Sequence, residues 1–193
     1  MLDTLWSGRT FRTFNAVDDY NRSVLAVEID TSLPAGRVVR VLDRVAEECG
    51  SYLEKLRMDN GPEFLGSTMA AWSEAHGVAL GFIQPGKPTQ NSYVERFNRT
   101  YRTEVLDLYV FNSLAEVREA TEEFIREYNE ERPHESLGDM PPTEFAARRA
   151  RGCPLPSGYP KTANPESLLI AGPKTGDFTD TPWAFAACSV PEL

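Results

Sequence analysis

The stretch Leu53-Glu54-Lys55-Leu56-Arg57-Met58-Asp59-Asn60-Gly61-Pro62 decides the fold. Its first six residues have the character of a short strand, and Asp59-Asn60-Gly61-Pro62 is a turn signature, so Asp59 is expected at a strand's C-terminal end. Upstream, Pro34 to Cys49 carries Val38, Val41, Leu42 and Val45 at helical spacing, with Pro34 suited to a first turn and Gly50 to the stop. Downstream, a helix is expected from about Glu63 to His76, ended by Gly77, and then a strand over Val78 to Ile83. This alternation describes an α/β domain with helices packed on a sheet.

Two β-runs precede these elements, Thr10 to Val17 and Ser23 to Ile29, and the polar turn Asp18-Asp19-Tyr20-Asn21-Arg22 between them makes an antiparallel hairpin. After Ile83, the loop Gln84-Pro85-Gly86-Lys87-Pro88 continues no element and leads to a helix beginning near Thr89 to Asn91. That helix has two faces: an apolar stripe of Val94, Phe97, Tyr101, Val105 and Leu108, and a polar line of Asn91, Glu95, Asn98 and Arg102. A further amphipathic helix, about Leu114 to Asn129, is expected to bury Val117, Ala120, Phe124 and Tyr128. From residue 151 onward, seven Pro and four Gly fall within 43 residues, which marks 151–193 as a loosely ordered tail behind a domain spanning 1–150. Trp183 and Phe185 leave room there for a short docked segment.

With 193 residues, 41% hydrophobic and 25% charged, the chain has enough apolar content for one sizeable core. No apolar run reaches membrane-spanning length and no signal-peptide layout opens the chain, so the expectation is a cytoplasmic protein without a membrane partner. Cys49, Cys153 and Cys188 are scattered, with no C-x-x-C pair, and read as reduced structural thiols. A net charge of −9 argues against holding DNA by bulk electrostatics. Between Lys87 and Arg102, however, Lys87, Arg96, Arg99 and Arg102 face a single acid, Glu95, and this local excess is a candidate DNA footprint.

Asp59 and Glu95 are separated by helix, strand and loop, a packaging that brings two carboxylates to one edge of a sheet. Hard divalent cations choose carboxylate oxygens, and such ions activate an attacking oxygen and stabilise a leaving one in phosphodiester chemistry. On spacing alone a second reading stands beside this one. Asp59 then caps its own turn, and Glu95 is a surface partner of Arg99 at i,i+4.

The runs Arg57 to Phe64, Gln84 to Asn91 and Tyr93 to Thr100 resemble the integrase-type cores of insertion-sequence transposases. So do the runs Tyr128-Asn129-Glu130-Glu131-Arg132-Pro133-His134 and Pro141-Pro142-Thr143-Glu144-Phe145, and the segment Phe11 to Arg22; together they cover about residues 3 to 146. The resemblance implies a ribonuclease-H-like mixed five-stranded sheet flanked by helices, followed by C-terminal helices and an irregular tail. It also implies an Asp-Asp-Glu triad holding two Mg²⁺ or Mn²⁺ ions, with Asp59 matching the second acid and Glu95 the third. The implied chemistry is nicking at element ends and attack of the exposed 3′-hydroxyl on a phosphodiester, with element-end and target DNA and further protomers, as a homo-oligomer on DNA, for partners. Association with the bacterial nucleoid follows from that. Lys87, Asn91, Asn98, Arg99 and Arg102 are then the expected DNA contacts.

In the family the first acid lies in a Trp-x-x-Asp-Phe run, four residues ahead of the acid that aligns with Asp3, a position upstream of Met1. The first strand is therefore expected to be incomplete and the chain inactive in strand transfer. Asp18 and Asp19 match a hairpin turn of the family rather than its triad. His134 and His76 are expected to pack or to complement a helix end. Two other functions fit the same residues: a non-catalytic DNA- or transposase-binding remnant that interferes with transposition, and a metal-dependent nuclease without strand transfer.

Overall fold

In the computed structural model, residues 1–58, 66–82 and 92–154 are described in full and residues 167–171 by their backbone. The hairpin forms as β2 (Thr10–Asp18) and β3 (Val24–Asp30), antiparallel, with Arg12 opposite Asp30 and Val17 opposite Val24. Its register shifts between Ala16 and Val17. A short β1 (Leu2–Thr4) pairs antiparallel with the start of β2, Asp3 opposite Phe11. Because successive side chains on a strand point to opposite faces, β2 divides its residues between two cores. Phe11 and Val17 join one and Phe14 and Ala16 the other, which is why β2 is buried almost throughout.

The core containing Phe14 and Ala16 is closed by α1 (Ala35–Cys49) through Val38, Val41, Leu42 and Val45, as their spacing predicts, and by Met69 and Trp72 of α2 (Ser67–His76). Gly50 and Gly77 end these helices at φ 73° and 69°, in the left-handed region that glycine enters without steric cost. Trp72 Nε1 donates to Asp43 at 2.7 Å and ties the two helices together. The residues expected to begin α2, from Glu63 to Leu65, lie outside the described residues. Strands β4 (Lys55–Met58) and β5 (Ala79–Phe82) flank α2 and pair in parallel, Lys55 with Ala79 and Met58 with Phe82.

The opposite core is closed by α3 (Ser92–Tyr101) and α4 (Leu114–Glu130). Val94, Phe97, Tyr101 and Val105 are buried as the apolar stripe predicts, but Leu108 is 64% exposed. The reason is a π-turn over Arg102–Leu106, in which the Asp107 amide donates to the Arg102 carbonyl at 2.8 Å. One extra residue in that turn rotates the chain beyond it off the stripe, and Leu106 takes the buried place. On α4, Ala120 is only half-buried, while Thr121 is buried and shares a 2.7 Å hydrogen bond with the Tyr101 hydroxyl. Asn129 clamps the start of β3, its amide oxygen and nitrogen each 2.9 Å from the backbone of Val24. A last helix, α5 (Pro142–Ala150), sets Phe145 against Tyr20 of the hairpin turn.

One segment of the Pro/Gly-rich tail is a strand. β6 (Ser167–Ala171) lies between β2 and β4, antiparallel to the former (Asp18 opposite Leu168, Asn15 opposite Ala171) and parallel to the latter (Arg57 opposite Leu169). Among the described residues the sheet thus has six strands where five are expected. Averaging composition over 43 residues hid a four-residue apolar run, Leu168 to Ala171, bounded by Ser167 and Gly172. Among the described residues, no helix is long and apolar enough to cross a membrane.

Candidate active site

Glu95 lies in the first turn of α3 and is half-buried. One turn later Asn98 shares its face, as residues three apart do. The Asn98 amide oxygen accepts from Nδ2 of Asn15 at 2.6 Å, fixing this face against β2. Asn15 is completely buried, and its own amide oxygen has no hydrogen-bond partner among the described residues. A buried acceptor without a donor costs on the order of 1–3 kcal/mol, so this oxygen is open to a donor or a cation.

β4 ends at the fully buried Met58, and Asp59 follows in the sequence. Asp59 lies outside the described residues, as do Lys87, Asn91 and the Gln84 to Pro88 loop. Arg99 is exposed. Arg102 is tied down within the chain, its Nη1 3.0 Å from Asp3 and 3.3 Å from Asp107 and its Nη2 2.9 Å from the carbonyl of Leu2. Among the described residues, no three His, Cys, Asp or Glu side chains gather as a metal cluster.

Asp18 and Asp19 are held by the hairpin turn. Asp18 accepts from the Tyr20 amide at 2.7 Å, and burial pushes its carboxyl up to about 6. Asp19 is buried and faces two cations, Arg22 at 3.7 Å and Arg57 at 3.5 Å. Arg22, only 2% exposed, stacks its guanidinium 3.5 Å above the Tyr93 ring. This network joins the hairpin turn to Arg57, two residues ahead of Asp59, and to Tyr93, two ahead of Glu95. Sequence reading missed both it and the Asn15–Asn98 contact. Arg22 adopts φ 66°, which no side-chain pattern signals, and Asn15 reads as one polar residue in a strand.

His134 packs its ring edge on Tyr128, with centroids 4.8 Å apart, and burial together with Arg132 pushes it down to about 4. It is neutral at physiological pH. His76, expected as a charge partner at a helix end, lies in the last turn of α2 and stacks on Tyr52 with ring centroids 3.9 Å apart.

Two models of the integrase core domain match the chain, one over residues 4–88 and the other over residues 76–142. An uncharacterized 39.2 kDa protein of insertion element IS476 from Xanthomonas euvesicatoria is 40% identical over 147 residues, covering 76% of this chain and 42% of that protein. An uncharacterized 31.7 kDa protein of insertion element IS407 from Burkholderia multivorans is 37% identical over 159 residues, covering 82% of this chain and 57% of that protein. The chain thus spans about half the length of the curated relatives it matches. Among solved structures, the HTLV-2 integrase catalytic core domain in complex with magnesium superposes with a TM-score of 0.58 at 14% identity, over 75% of this chain and 90% of that one. That likeness fixes the fold as ribonuclease-H-like.

Proposed function

Starting from a chain that belongs to the integrase-core family of insertion-sequence transposases, we propose that it is the DNA-processing core of such a transposase and that Asp59 and Glu95 are its divalent-metal ligands. The observation that carries this is the clamped face of α3. Asn98 bonded to Asn15 sets the Glu95 face of α3 against β2, where the Asn15 amide oxygen has no hydrogen-bond partner among the described residues. The donors are all hard oxygens, which fits Mg²⁺ or Mn²⁺. When bound, the metal supplies activation of the attacking oxygen and stabilisation of the leaving one.

The chain's own residues orient and hold. Glu95 is presented by a helix whose Val94 and Phe97 are fully buried, so its position is set by packing on both sides. The Asp19–Arg22–Arg57 network fixes the end of β4 from which Asp59 follows. Lys87, Asn91, Arg99 and Arg102 contact DNA, with Asn98 reaching it through its amide nitrogen while its oxygen stays with Asn15. For Arg102, a phosphate replaces Asp3 as partner. Further protomers assemble on DNA, and in a bacterium the complex is cytoplasmic and nucleoid-associated.

The family's Trp-x-x-Asp-Phe run is not among residues 1–193, and we infer that these residues by themselves bind DNA without joining it. The test is a strand-transfer assay with Mn²⁺ and a pre-nicked element end carrying a free 3′-hydroxyl. The chain alone is inactive, and the chain extended upstream through a Trp-x-x-Asp-Phe strand is active. Robust joining by residues 1–193 that Asp59→Ala abolishes overturns the incomplete-triad reading.

A further inference from the structure

The turn between β2 and β3 is braced from within and from outside. The Asp18 amide donates to the Ser23 carbonyl at 2.8 Å and the Arg22 amide to the Asp18 carbonyl at 3.0 Å. From α5, Phe145 packs edge-on against Tyr20, and Arg149 Nε donates to the Tyr20 hydroxyl at 2.7 Å. Arg22 turns inward from this braced piece and breaks several ordinary rules at once. It takes φ 66°, a conformation in which a long side chain is uncommon, and it carries its charge into the interior. None of its Nε, Nη1 and Nη2 has a hydrogen-bond partner among the described residues. A guanidinium is all donors, and leaving them unmet in the interior is costly, so a well-packed apolar side chain would be at least as stable there. Strain of this kind gathers at functional sites.

What Arg22 does touch is narrow. Nη1 stands 3.7 Å from Asp19, and the guanidinium carbon lies 3.5 Å from the centroid of the Tyr93 ring. Tyr93 is the second residue of α3, and Glu95 belongs to the same turn. Val94 seats that turn in the core, and the Asn98–Asn15 bond holds the turn after it. The first turn of a helix lacks partners for its own amides and frays readily. Successive residues project about 100° apart around the axis, so Val94 alone leaves the turn free to roll, whereas Val94 and Tyr93 together fix it. A planar guanidinium suits the task, because it stacks flat on a ring and is held most strongly when desolvated. We propose that Arg22 is a positioning residue for Glu95: stacked on Tyr93, it pins the first turn of α3 to the β2–β3 turn and fixes the orientation in which the carboxylate is offered. Its effect on a bound metal rests on the reading of Glu95 as a ligand given above. The pinning of the helix does not.

Variants of the full chain separate pinning from packing. Tyr93→Leu keeps an apolar side chain against the core but removes the ring face, and Tyr93→Phe keeps the face and loses only the hydroxyl. Arg22→Met removes the cation and leaves Asp19 with Arg57. In the absence of metal, hydrogen exchange of the Arg96 to Asn98 amides, which bond back into the first turn, should quicken about tenfold in Tyr93→Leu and in Arg22→Met. It should stay native in Tyr93→Phe, and the amides of α4 should be unchanged in every variant. Mn²⁺ affinity should fall about tenfold in Tyr93→Leu and Arg22→Met and be restored in Tyr93→Phe, the loss expected when a group that orients a metal ligand is removed. Native exchange in α3 of both Tyr93→Leu and Arg22→Met, or equal quickening in α4, overturns the pinning. Quickened exchange with undiminished Mn²⁺ affinity, where Glu95→Gln abolishes binding, overturns the positioning of Glu95. Affinity indifferent to Glu95→Gln in the native chain overturns the metal reading instead, and exchange alone then decides the pin.

Discussion

Asp19→Ala is expected to destabilise the chain more than any change made on its surface. The carboxylate lies between Arg22 at 3.7 Å and Arg57 at 3.5 Å, with side-chain exposures of 7% for Asp19, 3% for Arg22 and 21% for Arg57. Removing one partner of a buried pair leaves an uncompensated charge, which costs about 3–5 kcal/mol. Arg57 retains a path to water, and the Tyr93 ring continues to stabilise the Arg22 cation, so the lower end, about 3 kcal/mol, applies. At an m-value of about 2 kcal/mol/M for urea, the midpoint should fall by about 1.5 M. Arg22→Met added to Asp19→Ala should recover at least half of the loss, since an apolar side chain needs no counter-ion. A midpoint shift below about 0.5 M for Asp19→Ala, or no recovery in the double variant, refutes the assignment of a buried charge network.

Three further outcomes follow. His134 sits at about 4 when folded against 6.5 ordinarily, so the unfolded chain takes the proton first. Its contribution to stability is full above about pH 6.5 and lost as pH falls toward 4. With partial exposure discounted, thermal denaturation at pH 7 and pH 5 should differ by about 1–2 kcal/mol more in the native chain than in His134→Gln. Tyr101→Phe deletes the buried 2.7 Å bond to Thr121 and should cost about 1 kcal/mol in urea unfolding, with no change on adding Thr121→Val. Lys87→Ala together with Arg102→Ala should weaken DNA binding in an end-binding form of the protein and reduce the slope of log affinity against log salt by about 1.8, two phosphate contacts' worth. An unchanged slope removes both residues from the interface.

What the sequence made legible was whatever rests on period and punctuation. The spacing of Val38, Val41, Leu42 and Val45, the stops at Gly50 and Gly77 and the β-run of Thr10 to Val17 depend on short-range geometry, and each is found where expected. The apolar face of α3 was legible as far as Val105. Beyond it, a single π-turn breaks the period on which the reading of Leu108 depended. Long-range polar contacts were invisible, because nothing in Asn15 or Asn98 alone indicates that residues 83 positions apart share a hydrogen bond. β6 was hidden for another reason: four apolar residues inside a Pro/Gly-rich stretch acquire a fold only from the strands they pair with. For the proposed site, Asp59 and Glu95 were candidates by residue type, while the Asn15–Asn98 contact beside Glu95 was not legible.

The central claim, that Asp59 and Glu95 hold one divalent cation, is tested most directly by titrating Mn²⁺ into the isotope-labelled chain and following paramagnetic broadening of amide resonances. The account predicts that at substoichiometric Mn²⁺ the amides around Asp59, Glu95 and Asn15 broaden together, and that Asp59→Asn and Glu95→Gln each abolish this. Broadening centred on the acidic face of α4, at Glu116, Glu119 and Glu123, or broadening at Glu95 that survives Asp59→Asn, contradicts it.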